Sequence, residues 1–330
     1  MTGEELPLTA DNVRKVKRLA AIAVAASVLF GCSQYSTTAP VPAGRVLLVA
    51  NSTANSVIVF NVVGGTATAV QTIVGPDTGL NFPTGVGFSA GLIFVANNHG
   101  DTVTVYAKNA NGDAAPVTTI SGVNPGLDHP TDIDVDSTGR VYVGNSAGNS
   151  VRVFAPNETG NAVPLASIVG PDTALDHPVA LHHDGAGNVY VVNTANSSVT
   201  IYHSADIFSS VSGDVIPFAT LSGAMTGLVN PSGIVLDSAG NVYVTNDFPD
   251  SITVYAPNPT GDQAPTATIA GPATTLNGAG DIDIVGSDLV VANTGANDLL
   301  AFPFSANGNV APAYTVSGSG LMFPNGLGTE

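Results

Sequence analysis

The amino-acid sequence predicts an all-β protein, a six-bladed β-propeller of four-stranded antiparallel blades closed by the C-terminal strand. Three observations predict it. An Asn that ends a short apolar run, followed by a turn and a second apolar run, recurs at Asn51, Asn97, Asn145, Asn193, Asn246 and Asn293, with spacings of 46, 48, 48, 53 and 47 residues. That period fits four-stranded blades better than helical solenoids, whose apolar pattern has a 3.6-residue repeat. Of 330 residues, 37 are Gly, 22 are Pro, none is Trp and only 10% are charged, which leaves little helical character and much turn chemistry. Finally, the first unit opens at a second-strand position (Arg45 to Ala50), and Pro324 to Glu330 matches the first strand that it lacks.

Each element can be taken in order from the unit that starts at Pro130. Residues 131–136 read as a first strand, ended by the turn Asp136-Ser137-Thr138-Gly139 that has counterparts at Asp184 and Asp237. Residues 140–144 form a second strand that ends at the marker Asn, and residues 150–155 a third with an aromatic near its end. Residues 163–169 form a fourth, before the unit begins again at Pro178. The equivalent aromatics are Phe60, Tyr106, Phe154, Tyr202, Tyr255 and Phe302. A lone four-stranded sheet exposes both faces, so each unit must bury them on its neighbours. Ring closure achieves this without end caps.

The segments GNVYVVN and NVYVTN, each followed by a Val-rich strand, resemble NHL-type and YVTN-type propeller repeats, and the resemblance covers nearly all of the chain past residue 45. It implies a propeller fold whose relatives include ligand-binding scaffolds, interaction modules and a few lyases or lactonases, so the fold alone assigns no activity.

A strand has a period of two, so the second and fourth residues after each blade-opening Pro share one face, toward the channel. They are Gly85 and Gly87, Asp132 and Asp134, Ala180 and His182, Gly233 and Val235, Asp281 and Asp283, Gly326 and Gly328, with Ala279 in the place of one opening Pro. Two carboxylate pairs therefore stand three blades apart, on opposite sides of the ring, with His182 in the blade beside the first pair. Crowded carboxylates must be hydrated, share protons or hold a cation, and Asp132, Asp134, His182, Asp281 and Asp283 are a candidate metal set for Ca²⁺ or another divalent ion. The competing reading is a wet channel whose carboxylates are solvated or bond inner-strand backbone. His129 and His177, each directly before an opening Pro, are candidate ligand-binding residues. Adjacent His182 and His183 are expected to point to opposite faces of their strand. The marker Asn residues read as structural, bonding the loop that follows them.

The chain has 8 Lys and Arg against 25 Asp and Glu, a net charge of -17. Four of the eight, Arg14, Lys15, Lys17 and Arg18, precede an uncharged stretch from Leu19 to Phe30 that leads to Gly31 and Cys32. Residues 1–31 read as a lipoprotein-type signal peptide with a doubtful start site. Leu29 to Cys32 resembles the bacterial lipobox, which implies cleavage before Cys32 and its lipidation. Residues 32–44 form the tether and 45–330 the propeller. The sequence thus predicts a monomer anchored to a membrane only through lipid, in the bacterial cell envelope, with the outer membrane favoured. So few cations exclude nucleic acid as a partner.

Two function classes remain. The first is a non-catalytic scaffold for an extracytoplasmic protein or glycan, with the segment Ser204 to Asp214, carrying Ile207 and Phe208, as a candidate contact loop or, equally, a segment that simply packs on the core. The second is a metal-dependent lactonase or lyase at the channel mouth. Gluconolactonase and regucalcin-like propellers, similar in shape, hold their metal with a Glu, an Asn and an Asp. Past Cys32 this chain offers only Glu158, in an outer loop, and Glu330 at its last position, so the inner-strand Glu of those propellers has no clear counterpart.

Overall fold

The computed structural model describes residues 44–330, so the signal segment and Cys32 lie outside the described residues. Six four-stranded antiparallel sheets follow one another around an axis. Blade 1 is assembled from both ends of this region: Pro324–Thr329 pairs antiparallel with Arg45–Asn51, which pairs in turn with Ser56–Val63 and then Thr66–Val74. Blades 2 to 6 run in sequence order from innermost strands Pro83–Ser89, Pro130–Val135, Pro178–His183, Pro231–Leu236 and Ala279–Val285. Each innermost strand touches the next, and the circuit closes from Pro324–Thr329 back to Pro83–Ser89. The sixfold closed ring is as expected.

The fourth strands are shorter than the apolar pattern suggests. In blade 3 the strand is Ala166–Ile168 rather than 163–169, because Pro164 has no N–H to donate to the ladder. Blade 1 has no proline there and keeps a nine-residue strand, Thr66–Val74.

The core consists of six apolar layers, one in each gap between successive sheets. The third-strand aromatics Phe60, Tyr106, Phe154, Tyr202, Tyr255 and Phe302 are all fully buried in these gaps. Burial of each stabilises the ring by about 1.5–3 kcal/mol. The tyrosine hydroxyls stay paired: Tyr106, Tyr202 and Tyr255 donate to the carbonyls of Thr78, Thr173 and Thr226.

Polar groups set the blade spacing. At all six gaps a hydroxyl donates to the carbonyl of the next blade's opening residue: Ser52 to Pro83, Thr84 to Pro130, Thr131 to Pro178, Thr194 to Pro231, Ser232 to Ala279 and Thr294 to Pro324. The marker Asn residues are completely buried. Their Oδ1 atoms accept from backbone N–H groups of Asn81, Asp128, Asp176, Val229, Asn277 and Met322. Those donors lie in the loop before the innermost strand of the same blade, not in the loop after the marker. The structural role is as expected and the partner is different.

Candidate functional site

The ring has two ends. At one, the rim, the innermost strands begin, and a mouth of about 470 Å³ is lined by Thr84, Thr131, Val179, Thr194, Asn230, Ser232, Asp247 and Asn325. Deeper in, all six innermost strands enclose a cavity of about 110 Å³ that holds Asp132, Asp134, His182, Asp281 and Asp283. The predicted channel residues are therefore brought together around one axis.

Their oxygens are engaged by backbone. Asp132 accepts from Ile133 N and, across the gap, from Leu181 N, both at 2.8 Å. Asp281 repeats this three blades on, accepting from Ile282 N and Leu327 N, again at 2.8 Å. An innermost strand has an unpaired edge, and these carboxylates supply acceptors that its N–H groups would otherwise lack. At the gaps that open from blades 2 and 5 the device is different: a Cβ on Gly85 would sit 2.6 Å from Asp132 Cα, and one on Gly233 would sit 2.7 Å from Asp281 Cα. There the strands touch backbone to backbone and only Gly fits.

The electrostatics follow from burial and crowding. Burial, then the charges of Asp134 and Asp283, pushes Asp132 up to about 7 against its two backbone bonds. Burial and the charge of Asp132 raise Asp281 well above the usual carboxylate range, and burial takes Asp283 up to about 6. These groups share protons near neutral pH. Asp134 goes the other way. Burial acts to raise it, but the His183 hydrogen bond and the charges of His182 and His183 outweigh that and hold it low.

The adjacent histidines do not diverge as the strand period suggests. Their rings stack at 5.8 Å, and both turn toward Asp134, with His183 Nδ1 at 2.6 Å and His182 Nδ1 at 3.7 Å from Oδ2. They sit at the end of the innermost strand, where a free edge and a charged acceptor across the gap override simple alternation. His182 faces the central cavity, while both histidines line a cleft of about 390 Å³ between blades 3 and 4, at the end away from the rim.

Among the described residues, Asp101, Asp128 and His129 form the one group of three metal-ligating side chains with ligand atoms within 4.8 Å of one another, and all three are exposed. The five channel residues do not form such a group among themselves. Asp101 Oδ1 already accepts from His129 N at 2.8 Å. Asn55, Asn149 and Asn297 bond the equivalent N–H of Phe82, His177 and Phe323 in the same way, so blade architecture accounts for this contact.

His129 and His177 belong to a larger set that sequence reasoning missed. The residue before each blade-opening position, Phe82, His129, His177, Asn230, Gly278 and Phe323, has φ between 47° and 68°. Gly and Asn adopt this left-handed conformation at low cost, and bulky residues do so rarely. Four of the six rim positions nevertheless carry an aromatic or imidazole ring. The signal was in the sequence: a ring-bearing residue before the opening Pro in four of six units.

The segment with Ile207 and Phe208 is a short helix, Ser204–Ser209, with Ile207 fully buried and Phe208 packed on the layer between blades 3 and 4. Phe208 also lies under the Arg140 guanidinium, 4.4 Å from its ring centre. Of the two readings open for this segment, contact loop or simple packing, its two apolar side chains follow the packing one.

Solved structures share the architecture. The nidogen/laminin complex aligns with a TM-score of 0.62 at 15% identity, covering 87% of this chain and 98% of that one. A Bacteroides caccae protein of unknown function gives 0.60 at 11% over 87% and 98%, and a streptogramin B lyase 0.57 at 13% over 87% and 84%. At such identities the likeness shows the fold alone. No curated protein matches the sequence. A family description, by contrast, matches residues 89–269, more than half of the chain, with the whole of blades 3 and 4 and all but the last residue of blade 5. With six sheets where the description counts seven, the chain belongs to the family described as lactonase, 7-bladed beta-propeller.

Proposed function

We propose that this protein is a lipid-tethered, extracytoplasmic propeller that binds a glycan at its rim. The observation that carries the reading is the set of rings at left-handed positions around the mouth. Backbone conformations that Gly would adopt without strain are occupied by Phe82, His129, His177 and Phe323. Such strain, of order 1–3 kcal/mol per residue, persists where surrounding structure enforces it and often marks a binding surface. Phe82 is stacked face to face on His99 with centres 4.2 Å apart, and Phe323 is 40% exposed beside the exposed Met322. Flat faces beside a mouth lined with Thr, Ser and Asn suit pyranose rings, whose axial hydrogens stack and whose hydroxyls hydrogen-bond. Among the described residues, no Lys or Arg lines the mouth, which disfavours phosphorylated sugars.

A panel of neutral and acidic oligosaccharides tested by calorimetry checks the reading. A neutral glycan should bind, and His129→Ala combined with Phe323→Ala should weaken it at least tenfold with little change in melting temperature. Binding only to proteins, or no loss in the double variant, would refute it.

A second reading is favoured by the family match: a metal-dependent lactonase or lyase at the channel. Ca²⁺ and Zn²⁺ titrations address it. A rise in melting temperature that Asp132→Ala abolishes would support a channel ion.

A further inference from the structure

We propose that the cleft between blades 3 and 4, at the end away from the rim, is a general acid–base site in which Asp134 orients His183 to activate water against small carboxylic esters. This is independent of the glycan reading. The Nδ1–H of His183 donates to Asp134 Oδ2 at 2.6 Å, and the same oxygen accepts from His183 N at 2.9 Å. Both ends of the histidine are thereby fixed to a single carboxylate. That bond sets the tautomer and leaves Nε2 as the basic nitrogen. Among the described residues Nε2 has no hydrogen-bond partner, and it is not sealed from solvent. The ring is held parallel to Tyr142, with centres 6.2 Å apart, at the wall of a cleft of about 390 Å³.

The ring of blades supplies an internal control against a purely structural role. Three blades on, Thr329 holds the position in Pro324–Thr329 that His183 holds in Pro178–His183, and it lines the cavity with Asp283. Ring closure at this position thus needs no imidazole. At the blade 3/4 gap an imidazole stands there instead, and the surroundings change with it. Tyr142 replaces the apolar Val290 opposite the Asp, and Arg140 reaches the cleft with its guanidinium over Phe208. Of the four Lys and Arg among the described residues, Arg140 alone lines this cleft.

The chemistry balances without another reactant. His183 Nε2 takes a proton from water as the water oxygen bonds to the ester carbonyl carbon, and Arg140 provides a cation for the oxygen that becomes negative. The acyl C–O bond then breaks, and the imidazolium returns its proton to the departing alkoxide, giving a carboxylic acid and an alcohol. A base-activated water suits esters, whose alkoxide leaves readily.

The groups that face His183 are Asp134, Asp136 and Tyr142 from blade 3, His182 and Asp184 from its own blade, and Arg140 beyond Asp136. Burial opposes its protonation, but the Asp134 hydrogen bond and the charges of Asp134, Asp136 and Asp184 outweigh it and raise the imidazole above its ordinary 6.5.

The test is hydrolysis of p-nitrophenyl acetate by the full-length chain at neutral pH. The expected rate exceeds that of free imidazole at equal concentration, and His183→Thr, which copies the residue at the opposite gap, should lose it about 100-fold. His203→Gln, which removes an exposed imidazole elsewhere, should retain the wild-type rate. Urea midpoints of the variants report folding separately. A His183→Thr protein that hydrolyses the ester as fast as the wild type, or a wild-type rate no greater than that of free imidazole at equal concentration, would each overturn the proposal.

Discussion

The blade 3/4 and blade 6/1 gaps lie on opposite sides of the ring and share their first staple. Asp132 to Leu181 N and Asp281 to Leu327 N are both 2.8 Å, each carboxylate also capping the next N–H of its own strand. The gaps diverge at the next inward-facing position. Asp134 meets two histidines and is held ionised, whereas Asp283 has no histidine beside it and is pushed up to about 6 by burial. The same backbone device therefore supports one gap where charge is stabilised and one where it is suppressed. Structure common to both gaps is what closure requires; His183, Tyr142 and Arg140, present at one alone, are surplus to it.

The largest expected difference concerns closure itself. At the 3/4 gap both innermost strands are internal to the chain, while the 6/1 gap is completed by Pro324–Thr329. Removing Pro324 to Glu330 strips the paired edge from Arg45–Asn51 and opens the apolar layer that contains Leu327. The loss exceeds what a marginally stable domain tolerates, about 5–15 kcal/mol in total. Circular dichroism should show no cooperative melt, and a retained sharp transition would mean that the ring does not depend on the staple.

Next in size is the contrast between the second aspartates. Asp134→Ala at pH 7 leaves His183 N without its acceptor and breaks a charge-assisted bond, a cost of about 2–4 kcal/mol. Asp283→Ala removes a carboxyl whose ionised form is already disfavoured and should cost about 1 kcal/mol or less. Urea denaturation of the two variants measures the difference directly. Equal losses would mean that the histidines do not distinguish the gaps.

The shared features were the ones legible in the sequence. Period, marker Asn and strand alternation are repeated six or nearly six times and the Asp turn three times, so each local reading was checked by its copies, and the opposed carboxylate pairs followed from counting blades. What escaped was unrepeated or set by the partner across a gap. Alternation assigned His182 and His183 to opposite faces because one strand's period contains no information about Asp134 on the neighbouring blade. Ile207 and Phe208 looked exposed because a polar segment of unusual length hides a one-turn helix whose apolar side covers the layer beneath it. The left-handed rim positions were visible only as ring-bearing residues before Pro. Torsions, not composition, made them a set.

A pH experiment sharpens the contrast further. Asp283 has a folded-state pKa above its unfolded value, so its contribution is fully present below about pH 4 and lost as pH rises through about 6. Asp283→Asn should therefore stabilise at pH 8 by about 1–2 kcal/mol and be near neutral at pH 4. The amide can also be accommodated, its oxygen accepting from Ile284 N and its NH₂ replacing an oxygen that accepts no backbone N–H. Asp132→Asn should not gain, although burial raises Asp132 as well, because both of its oxygens accept backbone N–H groups and an NH₂ would face a donor. Urea midpoints at pH 4 and pH 8 decide this, and parallel gains in the two variants would show that proton sharing outweighs hydrogen-bond polarity.

The smallest effect isolates one hydroxyl. Tyr142 donates to Asp136 Oδ2 at 3.2 Å, and burial followed by the Asp136 charge pushes the phenol up to about 12, so it stays a donor throughout the accessible pH range. Tyr142→Phe keeps the ring that lies parallel to His183 and removes only that bond. Asp136 retains the Thr138 N–H, the Thr138 hydroxyl and Arg140 N. The expected cost is about 1 kcal/mol by urea denaturation, since a well-satisfied carboxylate loses one of four donors. Because the ring and the carboxylate both remain, the His183 titration should move little. A large movement would show that the phenol hydroxyl, and not Asp134 alone, fixes the imidazole that the opposite gap does without.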